Sequence, residues 1–336
     1  MPDLNPEGPA PFFVGLQTFN KFPYAIDAEE LKQMEADIAI IGAPFDSGAV
    51  IVPGARFGPN AIRAANYFGS PIHSMYHLGM DIQPMKHLKV ADFGDANCPP
   101  NMVEASMEAI QNKVKEALDA GALPIVLGGD HTIVLPDITA VAEKYGYKNV
   151  GALHFDAHAD TFPSSYGGSL INHGTPVRRL IENGVIDGRN YIEVGLRGYL
   201  PPPSIFGWMK EQGMRWHLMA EIEERGLDAV LEDAINQALD GPEHVFLSID
   251  IDVLDPSYAP GTGGLEPGGF TTMELLRAVR HIVSRIDIVG MDVSEVLPAW
   301  DTPGNITAVA ANRVVMEAIS AIAKKKAQAS NGKKSA

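Results

Sequence analysis

One cysteine, Cys98, occurs in 336 residues, which excludes an intramolecular disulfide and any cysteine-based metal site and makes a reducing compartment the default. Bases are scarce: 26 Lys and Arg face 42 Asp and Glu, for a formal net charge of −16. That sign repels phosphate backbones, so no nucleic acid is expected as a partner, while a small cationic substrate is attracted. No run approaches the roughly eighteen apolar residues of a membrane span, and the opening MPDLNPEGPAPFF lacks the basic and apolar regions of a secretory leader. A cytoplasmic protein with no membrane partner is expected. What is present, 46% hydrophobic residues over this length, is enough to bury a substantial core.

Short aliphatic runs alternate with longer segments of helical period, the pattern of βαβ units and a mainly parallel sheet. The strands read as Asp37–Gly42, Leu88–Asp92, Ala122–Leu127, Val150–Phe155, Tyr191–Gly195, His244–Ile249 and Asp287–Met291. The helices between them read as Ala55–Tyr67, Met102–Ala120, Ile133–Tyr145, Gly174–Glu182, Gly226–Leu239, Thr272–Arg285 and Ile306–Lys324. No repeat and no Ser/Gly-rich linker divides the chain, so residues 31–323 are expected to form one domain. Residues 1–30 form an arm rich in Pro11, Phe12, Phe13, Phe19, Phe22, Pro23 and Tyr24, too apolar to hang free, which is expected to pack across the body or onto another subunit. Residues 324–336, KKKAQASNGKKSA, read as a basic, disordered tail.

Parallel α/β sheets place ligands outside the carboxyl ends of their strands, and the polar residues of this chain gather there. Leu127-Gly128-Gly129-Asp130-His131-Thr132 follows one strand, and Asp156-Ala157-His158-Ala159-Asp160 continues another. At period two, Asp156, His158 and Asp160 project to one side of an extended segment. A third strand ends in Asp250-Ile251-Asp252. Any one cluster reads equally well as a helix cap or turn signal. Three together, all of metal-ligand type, do not. Buried carboxylates side by side cost on the order of several kcal/mol each unless a cation is shared. His131, Asp156, His158, Asp160, Asp250 and Asp252 are too many ligands for one ion and suit two divalent metal ions, with Mn²⁺ favoured and Ni²⁺, Co²⁺ or Fe²⁺ as alternatives.

At these residues the chain resembles the ureohydrolases (arginases, agmatinases, guanidinobutyrases), through GGDHT (Gly128–Thr132), DAHAD (Asp156–Asp160), SIDIDVLDP (Ser248–Pro256), PGTG (Pro260–Gly263) and DVSEV (Asp292–Val296). The resemblance implies a three-layer α/β/α fold with a central parallel sheet of about eight strands, and a homo-oligomer, trimer or hexamer. It implies one metal on His131, Asp156, Asp160 and Asp250 and the other on Asp156, His158, Asp250 and Asp252, with Asp156 and Asp250 bridging. The implied reaction is hydrolysis of a guanidino compound to urea and an amine by attack of a metal-bridging hydroxide on the guanidinium carbon. His173 matches the family's proton shuttle and Glu295 its guanidinium clamp. Asp130, Asp255 and Asp292 would orient the ligating imidazoles or anchor loops.

Two loops depart from the agmatinase pattern. Val52 stands where an arginine is usual before Pro53-Gly54, and the GTGTPE-like loop reads Gly261-Thr262-Gly263-Gly264-Leu265-Glu266. Val50, Ile51 and Val52 are therefore expected to line the substrate pocket and leave no basic anchor for a carboxylate tail, unless Arg197 supplies one. That reading leaves agmatine, guanidine itself, or an alkylated guanidine or biguanide such as metformin. Rival readings are a single-zinc deacetylase-like amide hydrolase and a non-catalytic subunit of a hetero-oligomer, although all six ligands are retained.

Overall fold

The computed structural model describes residues 13–65 and 75–332. Eight strands form a single sheet: β1 (Ile38–Ala43), β2 (Val90–Asp95), β3 (Leu123–Gly128), β4 (Val150–Phe155), β5 (Tyr191–Leu196), β6 (Arg215–Leu218), β7 (His244–Asp250) and β8 (Ile288–Ser294). Neighbouring strands are parallel throughout, in the order β2-β1-β3-β8-β7-β4-β5-β6. The helices are α1 (Ala28–Gln33), α2 (Gly58–Ala64), α3 (Val103–Asp119), α4 (Val134–Tyr145), α5 (Pro176–Glu182), α6 (Pro203–Glu211), α7 (Met219–Arg225), α8 (Leu227–Ala238), α9 (Thr272–Arg285) and α10 (Ile306–Gly332).

Parallel sheets are covered on both faces because their crossovers are helical. Alternate residues of β1 show the division: Ile38 and Ile40 pack into one core with α2 and α7 to α10, while Ala39 and Ile41 pack into the other with α1 and α3 to α6. The three-layer α/β/α expectation holds, and Val150–Phe155 and Thr272–Arg285 match end for end, the helix starting on a Thr271/Glu274 capping box. The eighth strand, β6, escapes the sequence reading because Arg-Trp-His-Leu is neither an apolar run nor long. Strand β8 runs three residues past its expected end because Asp292, which looks like a strand breaker, is buried and takes a hydrogen bond from Ser248.

Two expectations at the chain ends change. The stretch from Lys324 is not a disordered tail over its described part. Helix α10 continues to Gly332, and its lysines close the amino edge of the sheet: Lys324 Nζ donates to Met80 O (3.0 Å), Lys325 Nζ to Ile286 O (2.6 Å) and Lys326 Nζ to Asp37 (2.5 Å). Residues 333–336 lie outside the described residues. By length and composition Ile306–Ser330 could cross a membrane, but 78% of its most apolar window is buried inside the protein, as in a core helix. At the other end the arm packs across the body. Phe19 and Phe22 are buried in the core and the Phe19 N–H donates to Asp92 (2.7 Å), whereas Phe13 is exposed. Pro11 and Phe12 lie outside the described residues, as does the end of the helix expected at Ala55–Tyr67.

Candidate metal centre

Strands β7 and β8 insert between β3 and β4, so the exits of β3, β8, β7 and β4 become neighbours at one sheet edge. His131 follows β3 through a 3₁₀ turn, Asp156 follows β4, Asp250 ends β7, and Glu295 follows β8. His131 Nδ1 lies 3.0 Å from Asp160 Oδ2, 3.2 Å from Asp156 Oδ2 and 3.5 Å from Asp250 Oδ2. On the other side, His158 Nδ1 is 3.0 Å from Asp252 Oδ2 and 3.5 Å from Asp156 Oδ1. All six expected ligands meet. The period-two argument for Asp156, His158 and Asp160 is corrected: β4 ends at Phe155, and the chain turns, with Asp160 in the left-handed region at φ 48°. The turn brings the three together. Gly264 borders the site closely, since a Cβ there would stand 2.7 Å from Asp252 Oδ2 and 2.8 Å from His158 Cε1.

The charges of this cluster do not balance. Burial, with the charges of Asp252 and Asp156 added, pushes Asp250 well above the usual carboxylate range. Burial and Asp156 lift Asp252 to about 6 despite the opposing contact with His158. Asp156 is driven up by burial, but contacts from His131, His154 and His158 win and hold it well below the usual range. Its Oδ2 is nevertheless buried without a hydrogen-bond partner, which is costly unless something else occupies that lone pair. Two donor groups each gather within 4.8 Å: His131, His154 and Asp156, and Asp156, His158 and Asp252. Asp156 belongs to both. A carboxylate shared by two clusters of N and O donors fits a pair of divalent cations.

One layer deeper, Asp292, expected to orient a ligating imidazole, stands in a row with His154 and Glu193, which the sequence reading missed. Strand register places Asp292 beside Ser248, Ser248 beside His154, and His154 beside Glu193, a row across β8, β7, β4 and β5 in which every member is fully buried. Ser248 Oγ donates to Asp292 (2.7 Å) and contacts His131 Nε2 (2.9 Å), so Asp292 orients His131 through a hydroxyl. His154 lies 2.6 Å from Glu193 and 3.0 Å from Asp156. The available signal was a single polar residue inside each apolar strand. Asp130 and Asp255 anchor loops instead: Asp130 accepts the Gly48 N–H (2.8 Å), and Asp255 the N–H groups of Ser257 (2.9 Å) and Gly268 (2.8 Å).

A cavity of about 460 Å³ opens onto the cluster. His158, Asp160, Asp250, Asp252, His173 and Glu295 form its floor, and Val50, Ile51, Phe162, Tyr166, Leu200 and Pro201 are among its walls. Val50 and Ile51 line it as expected. Val52 does not, which corrects that expectation: its carbonyl faces Gly263 instead. Glu295 Oε1 accepts the His131 backbone N–H (2.9 Å) and contacts His173 Nδ1 (2.9 Å), while Oε2 has no partner. Its backbone sits at φ 61°, a strained conformation of the kind that persists where surroundings over-determine it. His173 Nε2 accepts the Val50 N–H (3.1 Å). Burial alone would lower the His173 pKa, but Glu295, with Asp130 and Asp160 behind it, lifts it to about 9. Arg197 supplies no anchor, because its guanidinium is spent on the carbonyls of Gly195, Asp252, Val253, Leu254 and Glu266 and is not in the cavity wall.

The family model described as "Arginase family" matches residues 36–321. The chain is 38% identical to the mitochondrial agmatinase of Gallus gallus, over 89% of this chain and 84% of that one. It is 36% identical to the guanidinobutyrase of Pseudomonas aeruginosa, over 90% and 91%. Among solved structures, the proclavaminate amidino hydrolase of Streptomyces clavuligerus superposes with a TM-score of 0.82 at 32% identity, covering 94% of this chain and 99% of that one.

Proposed function

The chain belongs to the arginase family, and from that premise we propose that its metal centre hydrolyses a guanidino compound to urea and an amine. The fold and the His/Asp cluster point to a binuclear divalent centre. The observation that carries the reading is the unpartnered Oδ2 of Asp156, set between two converging donor groups. His131, Asp156, Asp160 and Asp250 would hold one ion, and Asp156, His158, Asp250 and Asp252 the other. Bound there, the pair would lower the pKa of a shared water from about 15.7 towards neutrality and polarise the substrate. The oxygen-rich ligand set favours Mn²⁺, with Ni²⁺ second.

Glu295 has a clear task. Two donors fix its Oε1, and its free Oε2 can meet a planar guanidinium, holding the trigonal carbon against the centre. His173, at the same carboxylate and in the cavity wall, is placed to hand a proton to the departing amine as general acid. Glu295 at Nδ1 and the Val50 N–H at Nε2 fix the orientation of the ring for that task.

Among the described residues neither Lys nor Arg lines the cavity, which disfavours a carboxylate on the substrate tail. Agmatine fits, and so do guanidine or an alkylated guanidine or biguanide such as metformin, for which the apolar walls offer contact. The test is urea release by metal-reconstituted protein from agmatine, guanidine, guanidinobutyrate, arginine and metformin. Arginine or guanidinobutyrate proving best would overturn the tail reading. One tightly bound zinc per chain would favour the amide-hydrolase reading, and urea release only after a second chain is added would favour the partner-subunit reading. The assembly we propose is a homo-oligomer of three or six chains, which light scattering tests.

A further inference from the structure

The pair His154 and Glu193 is a cost without a stability reason. Both side chains are fully buried inside the sheet, on neighbouring strands in direct register. Their nitrogen and oxygen stand 2.6 Å apart, yet neither ring nitrogen nor either Glu193 oxygen is aligned as a hydrogen bond. Replacing such a pair by apolar residues of similar volume is often neutral or stabilising, so its presence asks for another explanation. The explanation lies at the opposite ring nitrogen: His154 Nε2 is 3.0 Å from Asp156 Oδ2, the oxygen left unpartnered between the two donor groups. The His154 ring is also packed against that of His131, centroids 4.6 Å apart. Tyr191 meets its other side edge-on at 5.5 Å. The ring is thus wedged between Glu193 on one side and two expected ligands on the other.

We propose that His154, backed by Glu193, is a positioning residue that sets the plane of the Asp156 carboxylate and so the spacing of the two metal ions. This rests on the reading of the site as a binuclear centre. Ligation by His154 itself is the competing role. It is disfavoured because His154 Nε2 faces one expected ligand oxygen, that of Asp156, and its other nitrogen faces Glu193, whereas His131 Nδ1 faces the oxygens of Asp156, Asp160 and Asp250 together.

The decisive variant is the double substitution His154→Leu/Glu193→Leu, which removes both ionisable groups and leaves neither partner stranded. Metal binding is measured on folded protein by equilibrium dialysis with elemental analysis, and the unfolding temperature is taken without metal. The expected result is two ions per chain bound about 10- to 100-fold more weakly, the range for loss of a residue that orients a ligand, with metal-free stability unchanged or raised. Glu193→Gln, which keeps an acceptor, should stay closer to wild type than Glu193→Leu. Unchanged affinity in the double variant would overturn the proposal. Saturation at one ion would also overturn it, in favour of ligation. Should the double variant not fold, His154→Gln and Glu193→Gln decide on the same dialysis, since an affinity loss in neither sinks the idea. Failure of the wild-type protein to bind two ions would remove the binuclear reading, whereas an insensitive variant beside a two-ion wild type removes only this inference.

Discussion

Two clusters of buried charge in this protein are built to opposite specifications. At the end of β2, Arg63 clasps Asp92 through Nε and Nη2 (2.8 and 2.9 Å) and reaches Asp95 through Nη1 (2.6 Å). The N–H groups of Phe19 (2.7 Å) and Gly94 (3.0 Å) take further lone pairs of Asp92. The fit is close enough that a Cβ on Gly42 would stand 1.8 Å from Asp95 Oδ1. At the ends of β3, β8, β7 and β4, acids crowd without enough cations, and Asp156 Oδ2 faces nothing that can donate to it properly. The first cluster fills the lone pairs of its buried acid from within, leaves Asp95 partly exposed to solvent, and ties the arm, α2 and β2 together. The second needs charge from outside. The lesson is that a buried acid marks function when its lone pairs are left over, and merely structure when they are all used.

Breaking the open cluster should have the largest effect. Asp156→Asn removes the carboxylate common to both donor groups, so urea release is expected to fall at least ~100-fold, with fewer than two ions per chain in elemental analysis. Full activity with two ions would dissolve the contrast. Next comes the closed cluster. Arg63→Leu strands Asp92, which is 1% exposed, and should cost about 3–5 kcal/mol in denaturant unfolding while leaving the turnover of folded protein unchanged. A loss of turnover without a loss of stability would show that this cluster, too, serves the site.

A pH dependence sharpens the same difference at smaller scale. Burial and neighbouring negative charge raise Asp252 to about 6 and Asp130 to about 7 in the absence of metal. A carboxyl raised above its unfolded value contributes stability that is full below that value and lost as pH rises through the folded one. The melting temperature of metal-free protein should therefore fall as pH goes from about 4 to about 7, and saturating metal should flatten that slope in differential scanning fluorimetry. A metal-free slope of the opposite sign would mean that the acids are compensated from within. The smallest effect belongs to the surface. Lys326→Ala, losing a partly exposed pair with Asp37, should cost about 0.5 kcal/mol or less, which chemical unfolding can bound.

Much of this was legible in the residues, and the exceptions have causes. The strands with continuous aliphatic runs were readable, while β6 was not, since Arg215 to Leu218 shows no period. That the six expected ligands would gather was readable because His and Asp at strand exits have few other uses in such number. His154 and Glu193 were not, because a polar residue inside an apolar strand looks like noise until register sets the two side by side. Val52 was misplaced because direction at a loop depends on backbone torsions that no residue pattern fixes.

The sequence by itself determined the alternating architecture, the ligand types and the excess of acid over base, since periodicity and side-chain chemistry are local properties. Only the tertiary structure decided that β7 and β8 would lie between β3 and β4. Strand order is a choice among crossovers made by the packing of both helical layers, and it turns separate exits into one centre. The same packing left Asp156 Oδ2 without a partner, because whether a buried oxygen is satisfied depends on every element that closes around it.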